Sequence, residues 1–185
     1  MISERVNRYT TTINKGGSMT LMDKRSEADS KLYIRAVDDI EVIEVDHGLI
    51  PDSRQGQKKS DFLIYAYNAG KTHVIELKGK NIDQAFGQLE GTIRALDEGS
   101  DTRMLVNGRK VLDAYIVSPG SQKVPDVPST AEKRLAKLLF ARSMEKHKDM
   151  FKLIHFVKVV SSQKCLSIKD RKILTSSRAP VEFGD

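Results

Sequence analysis

Residues 61–78 constrain the fold of this chain more than any other segment. Residues 61–67 and 72–78 are rich in β-branched, aromatic and apolar side chains, which favours two strands. The four residues between them, 68–71, include Gly70 and are typical of a tight turn. We therefore expect an antiparallel hairpin over this stretch.

The length of the turn predicts which residues face each other in the hairpin. A four-residue loop gives the pairs Tyr67–Thr72, Tyr65–Val74, Leu63–Glu76 and Asp61–Lys78. Because side chains alternate along a strand, the last two of these pairs lie on one face of the sheet. Two carboxylates and one ammonium group then meet at one end of the hairpin, unless the register is shifted by one residue.

Charged groups at the end of apolar strands are costly unless they are paired or bind a metal. Two neighbouring carboxylates repel each other, and a hard divalent cation, which prefers oxygen ligands, removes that repulsion. A lysine beside such a cation can orient a water molecule or accept its proton and stabilise developing negative charge. The predicted cluster is suited to metal-assisted hydrolysis of phosphodiesters.

The pattern of these residues resembles the PD-(D/E)XK nuclease superfamily. It consists of Asp61, a spacer of fourteen residues, the sequence Glu76-Leu-Lys78, and a helical segment carrying Gln84 and Gln88. The resemblance implies that Asp61 and Glu76 hold Mg²⁺ or Mn²⁺, and that Lys78 is catalytic and serves the attacking water.

The resemblance also implies supporting roles for three further positions. The backbone carbonyl of Leu77 would be a third metal ligand, and Gln88 would point back at the site from the helix. Glu27, in a short helix predicted over residues 26–37, would be an additional acidic ligand, although a glutamate near a helix N-terminus is also favourable without any metal.

Two features weigh against taking the motif as sufficient evidence. Ser60, not proline, precedes Asp61, and the literal Pro51-Asp52 lies in a loop-like segment that does not open an apolar strand. The sequence E-x-K also arises by chance about once in a chain of this size and charge content. The alternative interpretation is a surface hairpin whose Asp61, Glu76 and Lys78 form a solvated ion cluster.

The charge of the chain is unevenly distributed. Residues 1–122 contain 17 Lys and Arg against 18 Asp and Glu, whereas residues 123–185 contain 14 against 7. This asymmetry suits a polyanion held by one part and cut by another, although a basic surface kept for solubility is equally compatible. The predicted nucleic-acid contacts are the basic residues Lys58, Lys59, Lys80, Lys133, Arg134 and Lys137.

The remaining segments predict an α/β domain. A strand is expected at residues 40–46, an amphipathic helix follows residue 81, another strand covers 111–117, and a helix starting at Ser129 should run towards Lys148. Residues 151–160 read as a further strand. His47 could reach a phosphate or a metal, but a histidine beside Gly48 is also typical of a turn. His73 is expected to lie within the sheet with its ring hydrogen-bonded.

We expect three regions in one domain: a partly ordered arm over residues 1–24, a nuclease-like core over 25–120, and a basic helix-strand extension over 121–185. The fold class is α/β, restriction-endonuclease-like, with a central mixed sheet and an αβββαβ core. The single cysteine and the lack of a signal-like start favour a cytoplasmic protein that does not contact the membrane.

The expected function is metal-dependent hydrolysis of DNA, with Mg²⁺ or Mn²⁺ as cofactor. RNA as the substrate and a homodimer as the assembly are both compatible with the sequence. The main alternative is a module of the same fold that binds nucleic acid without cutting it, and a protein-interaction domain is a third.

Overall fold

The computed structural model describes residues 3–23, 30–50, 59–77, 81–119, 127–160 and 171–185. These residues form an α/β structure with a mixed sheet, which confirms the α/β part of the predicted fold class. The helices are α1 (Glu4–Asn7), α2 (Ile82–Glu98), α3 (Arg103–Val106) and α4 (Thr130–Arg142), with a 3₁₀ helix at Met150–Leu153. The strands are β1 (Thr10–Ile13), β2 (Ser18–Met22), β3 (Lys31–Ala36), β4 (Ile40–Glu44), β5 (Phe62–Ala66), β6 (Lys71–Leu77), β7 (Val111–Pro119), β8 (Ile154–Val159), β9 (Lys172–Thr175) and β10 (Val181–Phe183).

The strands form two sheets. The larger has seven strands in the order β1-β4-β5-β6-β7-β8-β9, and the smaller has the order β10-β3-β2. Pairing in the large sheet is antiparallel from β1 to β6 and parallel from β6 to β9. Parallel neighbours need a long crossover, and helices α2 and α4 lie in the connections from β6 to β7 and from β7 to β8.

Both faces of the large sheet are covered. On one face, Leu63 and Val74 pack with Phe86 and Leu89 of α2 and with Leu135 of α4. The opposite face carries the three-stranded sheet, and the side chains that fill the space between the two sheets include Leu32, Ile34, Ile64, Ile75, Tyr115 and Phe183. The chain therefore has three layers, and the predicted alternation of the hairpin strands determines which side chains face the helices.

The register of the hairpin differs from the prediction by two residues. Tyr65 pairs with Thr72 and Leu63 with Val74, because the loop occupies residues 67–70 and not 68–71. Gly70 adopts φ +68°, a left-handed conformation that suits glycine, and its N–H donates to the carbonyl of Tyr67. A shift of two residues keeps every side chain of the regular ladder on its predicted face.

The prediction of a helix over residues 26–37 is wrong for its second half. Residues 31–36 form β3, and the side chains of Leu32, Ile34 and Ala36 are buried at the two-residue period of a strand. Glu27 lies outside the described residues. Within the predicted N-terminal arm, Glu4–Asn7 form α1 and Thr10–Ile13 form β1.

The C-terminal third also differs in detail from the prediction. Helix α4 begins as expected, with the N–H of Glu132 donating to Oγ of Ser129, but it ends at Arg142. It stops there because the next residues turn to the sheet: the N–H of Met144 donates to the carbonyl of Arg109. The strand predicted at 151–160 is a 3₁₀ helix followed by β8. None of the helices in the described ranges is both long and apolar enough to cross a membrane.

Candidate functional site

Asp61 lies where the hairpin ladder becomes irregular. Phe62 pairs with Ile75, and the N–H of Asp61 donates to the carbonyl of the same Ile75 at 3.1 Å. Oδ2 of Asp61 then accepts the N–H of Leu77 at 2.6 Å. The carboxylate of Asp61 thus takes the place of a backbone acceptor and lies beside the peptide group that joins Glu76 to Leu77.

Two residues of α2 hold the chain immediately before Asp61. The hydroxyl of Thr92 accepts the N–H of Ser60 at 2.7 Å, and both residues are fully buried. Nε2 of Gln88 donates to the carbonyl of Lys59 at 3.0 Å. Gln88 was predicted to point towards the site, and this contact joins it to the backbone two residues upstream of Asp61. Thr92 was not predicted, because a threonine on the buried face of a helix has no distinguishing sequence signal.

Asp61 lines an acidic pocket at one end of the large sheet. The described residues that line it are Met22, Asp23, Glu44, Asp46, His47, Asp61 and Phe62. Four of these side chains are carboxylic acids and one is an imidazole. Such a concentration of carboxylates repels a phosphate and favours a cation, because only a cation offsets the repulsion between like charges.

Asp46 was not predicted as part of a site, and it is one of the residues that line this pocket. Its Oδ2 is 3.2 Å from Nε2 of His47, and its Oδ1 is 3.3 Å from Nζ of Lys59. Oδ1 also accepts the backbone N–H of His47 at 3.0 Å. The sequence signal is an aspartate directly after an apolar strand and before a glycine-containing turn, a pattern that by itself predicts only the end of the strand.

Lys59, one of the predicted nucleic-acid contacts, lies beside Asp46. Its side chain is only 7% exposed, and its ammonium group faces Asp46. A buried lysine needs such a counter-charge, because burial disfavours its charged form. Lys59 is thus paired with Asp46 in this structure, and its contact with nucleic acid stays a prediction.

Glu76 is 2% exposed and follows Val74 on the strand face that packs on the helices, and it is not among the residues that line the pocket. Within the described ranges, no group of three or more His, Cys, Asp or Glu side chains is arranged to hold a metal ion. The donors that do lie at this end of the hairpin are the carboxylates of Asp61 and Glu76 and the Leu77 carbonyl, which suit a hard divalent cation by their chemistry. Lys78 falls outside the described residues.

The predicted nucleic-acid contacts on α4 are at the surface. Lys133, Arg134 and Lys137 are exposed, as expected for the outer side of that helix. Arg134 is also paired, with its Nε 3.3 Å from Oε2 of Glu90 on α2. Lys58 and Lys80 are outside the described residues.

A second cluster of ionisable groups lies on β6, β7 and β8 and was not predicted. Oδ1 of Asp113, on β7, lies 2.7 Å from Nδ1 of His73. Its Oδ2 lies 3.2 Å from Nε2 of His155. The rings of Tyr115 and Phe183 pack against His73 at centroid distances of 5.7 and 4.8 Å. His73 thus has the polar partner expected of a sheet histidine, although its Nε2 is buried without a hydrogen-bond partner among the described residues.

The environment of this second cluster shifts two pKa values. Burial alone would raise the pKa of Asp113, but the charges and hydrogen bonds of His73 and His155 outweigh it, and the pKa is lowered. Burial and the charge of Asp113 raise the pKa of Tyr115 well above its ordinary range. The cluster is therefore a buried carboxylate held in its charged form by two imidazoles.

Comparison of the chain with known protein families, with curated proteins and with solved structures gave no match.

Proposed function

We propose that this protein is a metal-dependent nuclease that hydrolyses DNA phosphodiester bonds on a restriction-endonuclease-like core. The observation that carries the proposal is the acidic pocket that contains Asp61, at the end of a hairpin whose partner strand runs into Glu76-Leu-Lys78. A polyanion enters such a pocket only when a cation has first neutralised the carboxylates, which is the order of events that metal-dependent phosphodiester cleavage requires.

The roles of the residues are those that the resemblance to the PD-(D/E)XK nucleases implies. Asp61 and Glu76 would hold Mg²⁺ or Mn²⁺ together with the Leu77 carbonyl. When bound, the cation would polarise the phosphate and stabilise the charge that develops on its oxygens. Lys78 would orient the attacking water. Gln88 acts indirectly, since it contacts the backbone that leads into Asp61.

The first test measures metal binding without measuring cleavage. A ligand that binds only the folded state stabilises it, by about 2.7 kcal/mol at one hundred times its dissociation constant. We expect Mn²⁺ to raise the Tm of the wild type and to lose most of this effect in Asp61→Asn and Glu76→Gln. Glu41→Gln is the matched control, because Glu41 lies on the large sheet outside the pocket lining. Equal Mn²⁺ shifts in all four proteins would contradict the assigned ligands.

The second test separates cleavage from binding. Lys78→Ala should slow DNA cleavage in Mg²⁺ by about 10²–10⁴-fold, the usual contribution of a positioned acid-base group. Its affinity for DNA in Ca²⁺ should change little, because one cation among many contributes little to binding. A wild type that binds DNA but cleaves neither DNA nor RNA with Mg²⁺ or Mn²⁺ would favour the alternative, a binding module without catalysis.

A further inference from the structure

Three arginines on the helices α2, α3 and α4 are each held through Nε while most of the side chain stays exposed. Nε of Arg94 donates to Oε1 of Glu90 at 3.1 Å, and Nε of Arg134 donates to Oε2 of the same carboxylate at 3.3 Å. Nε of Arg103 donates to the carbonyl of Asp97 at 2.8 Å. The exposed fraction of the three side chains is 58–59%. We call Arg94, Arg103 and Arg134 the arginine face.

The two acidic residues that hold the arginine face are themselves fixed. Glu90 and Asp97 are only 13% and 21% exposed. They are seven residues apart on α2, which places them on one side of the helix and about 10 Å apart along its axis. Asp97 is also held by Arg142 of α4, with Nη1 2.8 Å from Oδ1 and Nη2 2.6 Å from Oδ2. The arginine face therefore follows the contact between α2 and α4.

The surface of α4 beside these residues is cationic. The charged residues of α4 that reach the surface are all basic: Lys133, Arg134, Lys137 and Arg142. Its one acid, Glu132, is fully buried, and Oε1 of Glu132 lies 2.8 Å from Nη1 of Arg171. The exposed acids of α2, Asp83 and Glu98, lie in its first and last turns. The middle of this surface thus attracts an anionic partner.

The composition of the surface favours a nucleic acid over a protein as that partner. Among the described residues, none of the exposed large apolar side chains belongs to α2, α3 or α4. Protein–protein interfaces have an apolar core, whereas interfaces with DNA are more polar and much more positively charged. Arginine also binds phosphate oxygens through two N–H groups at once, and a guanidinium group that is already held at Nε loses less freedom when it does so.

We propose that the arginine face binds the phosphate backbone of a nucleic acid, and that Glu90 and Asp97 keep its guanidinium groups in position. Contacts with phosphates carry no base information, so this surface binds without regard to sequence. The inference goes beyond the proposed hydrolysis, because the surface lies on the helices and binding there does not require that the nucleic acid be cut.

The first measurement removes two positive charges from the face. Binding of DNA duplexes of unrelated sequence is measured in Ca²⁺ over a range of salt concentrations. For Arg94→Gln/Arg134→Gln, the slope of log affinity against log salt concentration should become less steep by about 1.8, because each lost phosphate contact contributes about 0.9. The change should be the same on every duplex.

The matched control removes the same charge elsewhere. Arg8 follows α1 and pairs with Glu4 four residues before it, as Arg94 pairs with Glu90. Arg35 is exposed on β3, in the sheet that covers the opposite face of the large sheet. Arg8→Gln/Arg35→Gln should leave the slope unchanged. Equal slopes for this control and the glutamine variant of the face would mean that net charge alone acts, and would refute the inference.

A second variant keeps the charge and removes the guanidinium groups. In Arg94→Lys/Arg134→Lys, an ammonium group that pairs with Glu90 is a single point charge and cannot also offer a fork of N–H groups to a phosphate. We expect its affinity for DNA to lie below that of the wild type on every duplex. Wild-type affinity would contradict the role of held guanidinium groups. Exposed ion pairs contribute little to stability, so both variants should keep the wild-type Tm.

Chemical modification gives a further measurement that needs no variant. Phenylglyoxal reacts with exposed arginines, and the modified positions are identified by mass spectrometry. Bound DNA should protect Arg94, Arg103 and Arg134 of the wild type but leave Arg8 and Arg35 reactive. Equal protection of all five arginines would be evidence against a defined face.

The outcomes separate this inference from the proposed hydrolysis. A wild type that cleaves DNA, with a glutamine variant of the face that binds with the wild-type slope, would overturn the arginine face and leave the nuclease intact. A wild type that binds DNA through the face and cleaves none would keep the inference and remove the hydrolysis. If poly-glutamate displaces DNA from the wild type as effectively as unlabelled DNA does, the surface fits an acidic protein segment and the inference is wrong.

Discussion

The hydrogen bond between Thr92 and Ser60 offers the sharpest test of how the fold positions Asp61. Thr92→Val keeps the shape of a fully buried side chain but removes the hydroxyl that accepts the N–H of Ser60. The N–H is then left buried without an acceptor, which costs about 1–3 kcal/mol. In a protein of this size each kcal/mol lowers Tm by roughly 2–4 °C, so the Tm should fall by about 2–12 °C.

The chain contains a matched control for this exchange. Thr72 is also fully buried, and its hydroxyl has no hydrogen-bond partner among the described residues. It lies beside the hairpin turn, at the other end of β6 from Glu76. Thr72→Val should therefore be neutral or slightly stabilising, because a buried hydroxyl without a partner is replaced by a methyl group.

The assay must distinguish lost stability from a displaced Asp61. The amide proton of Leu77 donates to Oδ2 of Asp61 at 2.6 Å, so its NMR chemical shift reports the position of that carboxylate. We expect this signal to move in Thr92→Val and to stay in Thr72→Val. Thr92→Ser should restore it, because serine keeps the hydroxyl.

The result that would refute the reasoning is a Thr92→Val protein of lower Tm with an unchanged Leu77 amide signal. Thr92 would then stabilise the fold without positioning Asp61. The outcome does not depend on whether the protein binds metal or cleaves DNA. If the Leu77 signal moves in Thr92→Val but Mn²⁺ does not raise the Tm of the wild type, Thr92 positions Asp61 and the proposed metal site is wrong.

Two further predictions concern charge. Asp113 has a lowered pKa, so it contributes stability above the ordinary carboxyl value of 3.8, and this contribution is lost as the pH falls below it. Urea unfolding should show a lower free energy of unfolding for Asp113→Asn than for the wild type at pH 7, and this difference should shrink towards pH 2. A difference that does not change with pH would contradict the charge network. The double variant Lys133→Glu/Lys137→Glu should weaken the salt dependence of DNA binding. The slope of log affinity against log salt concentration should become less steep by about 0.9 for each phosphate that the protein no longer neutralises, and the effect should be similar for unrelated DNA sequences. An unchanged slope would mean that DNA binds elsewhere on the protein.

Local patterns predicted the elements around Asp61 well. The strands and the following helix have strong two-residue and helical periods, and the apolar positions Ala85, Phe86, Leu89, Ile93 and Leu96 are all buried as expected. The register of the hairpin was missed because it depends on the conformation of Gly70, which the sequence leaves open. The two-residue error in the register did not change which face of the sheet each side chain occupies, because side chains alternate with a period of two.

Interactions between distant segments were not predictable in the same way. Asp113 meets His73 and His155 only because β6, β7 and β8 are parallel neighbours, and about forty residues of sequence separate each pair. Lys59 illustrates the same limit. A lysine in a polar segment has the composition of an exposed loop, and its burial against Asp46 depends on how β4 and β5 align.

Two clusters among the described residues combine aspartate with histidine, and their surroundings separate their roles. His73 and Asp113 are both less than 10% exposed and pack against aromatic rings, so no substrate reaches them and their charges serve the fold. His47 and Asp46 are each about one third exposed and line the pocket of Asp61.

The same exchange of histidine for asparagine should therefore destabilise the protein at His73, because it removes one of the imidazoles that pair with the Asp113 carboxylate. At His47, whose φ is +58°, it should lower the Tm less, because the side chain is partly exposed and asparagine also accepts a positive φ. A large fall in Tm for His47→Asn would mean that the turn after β4 also contributes to the stability of the fold.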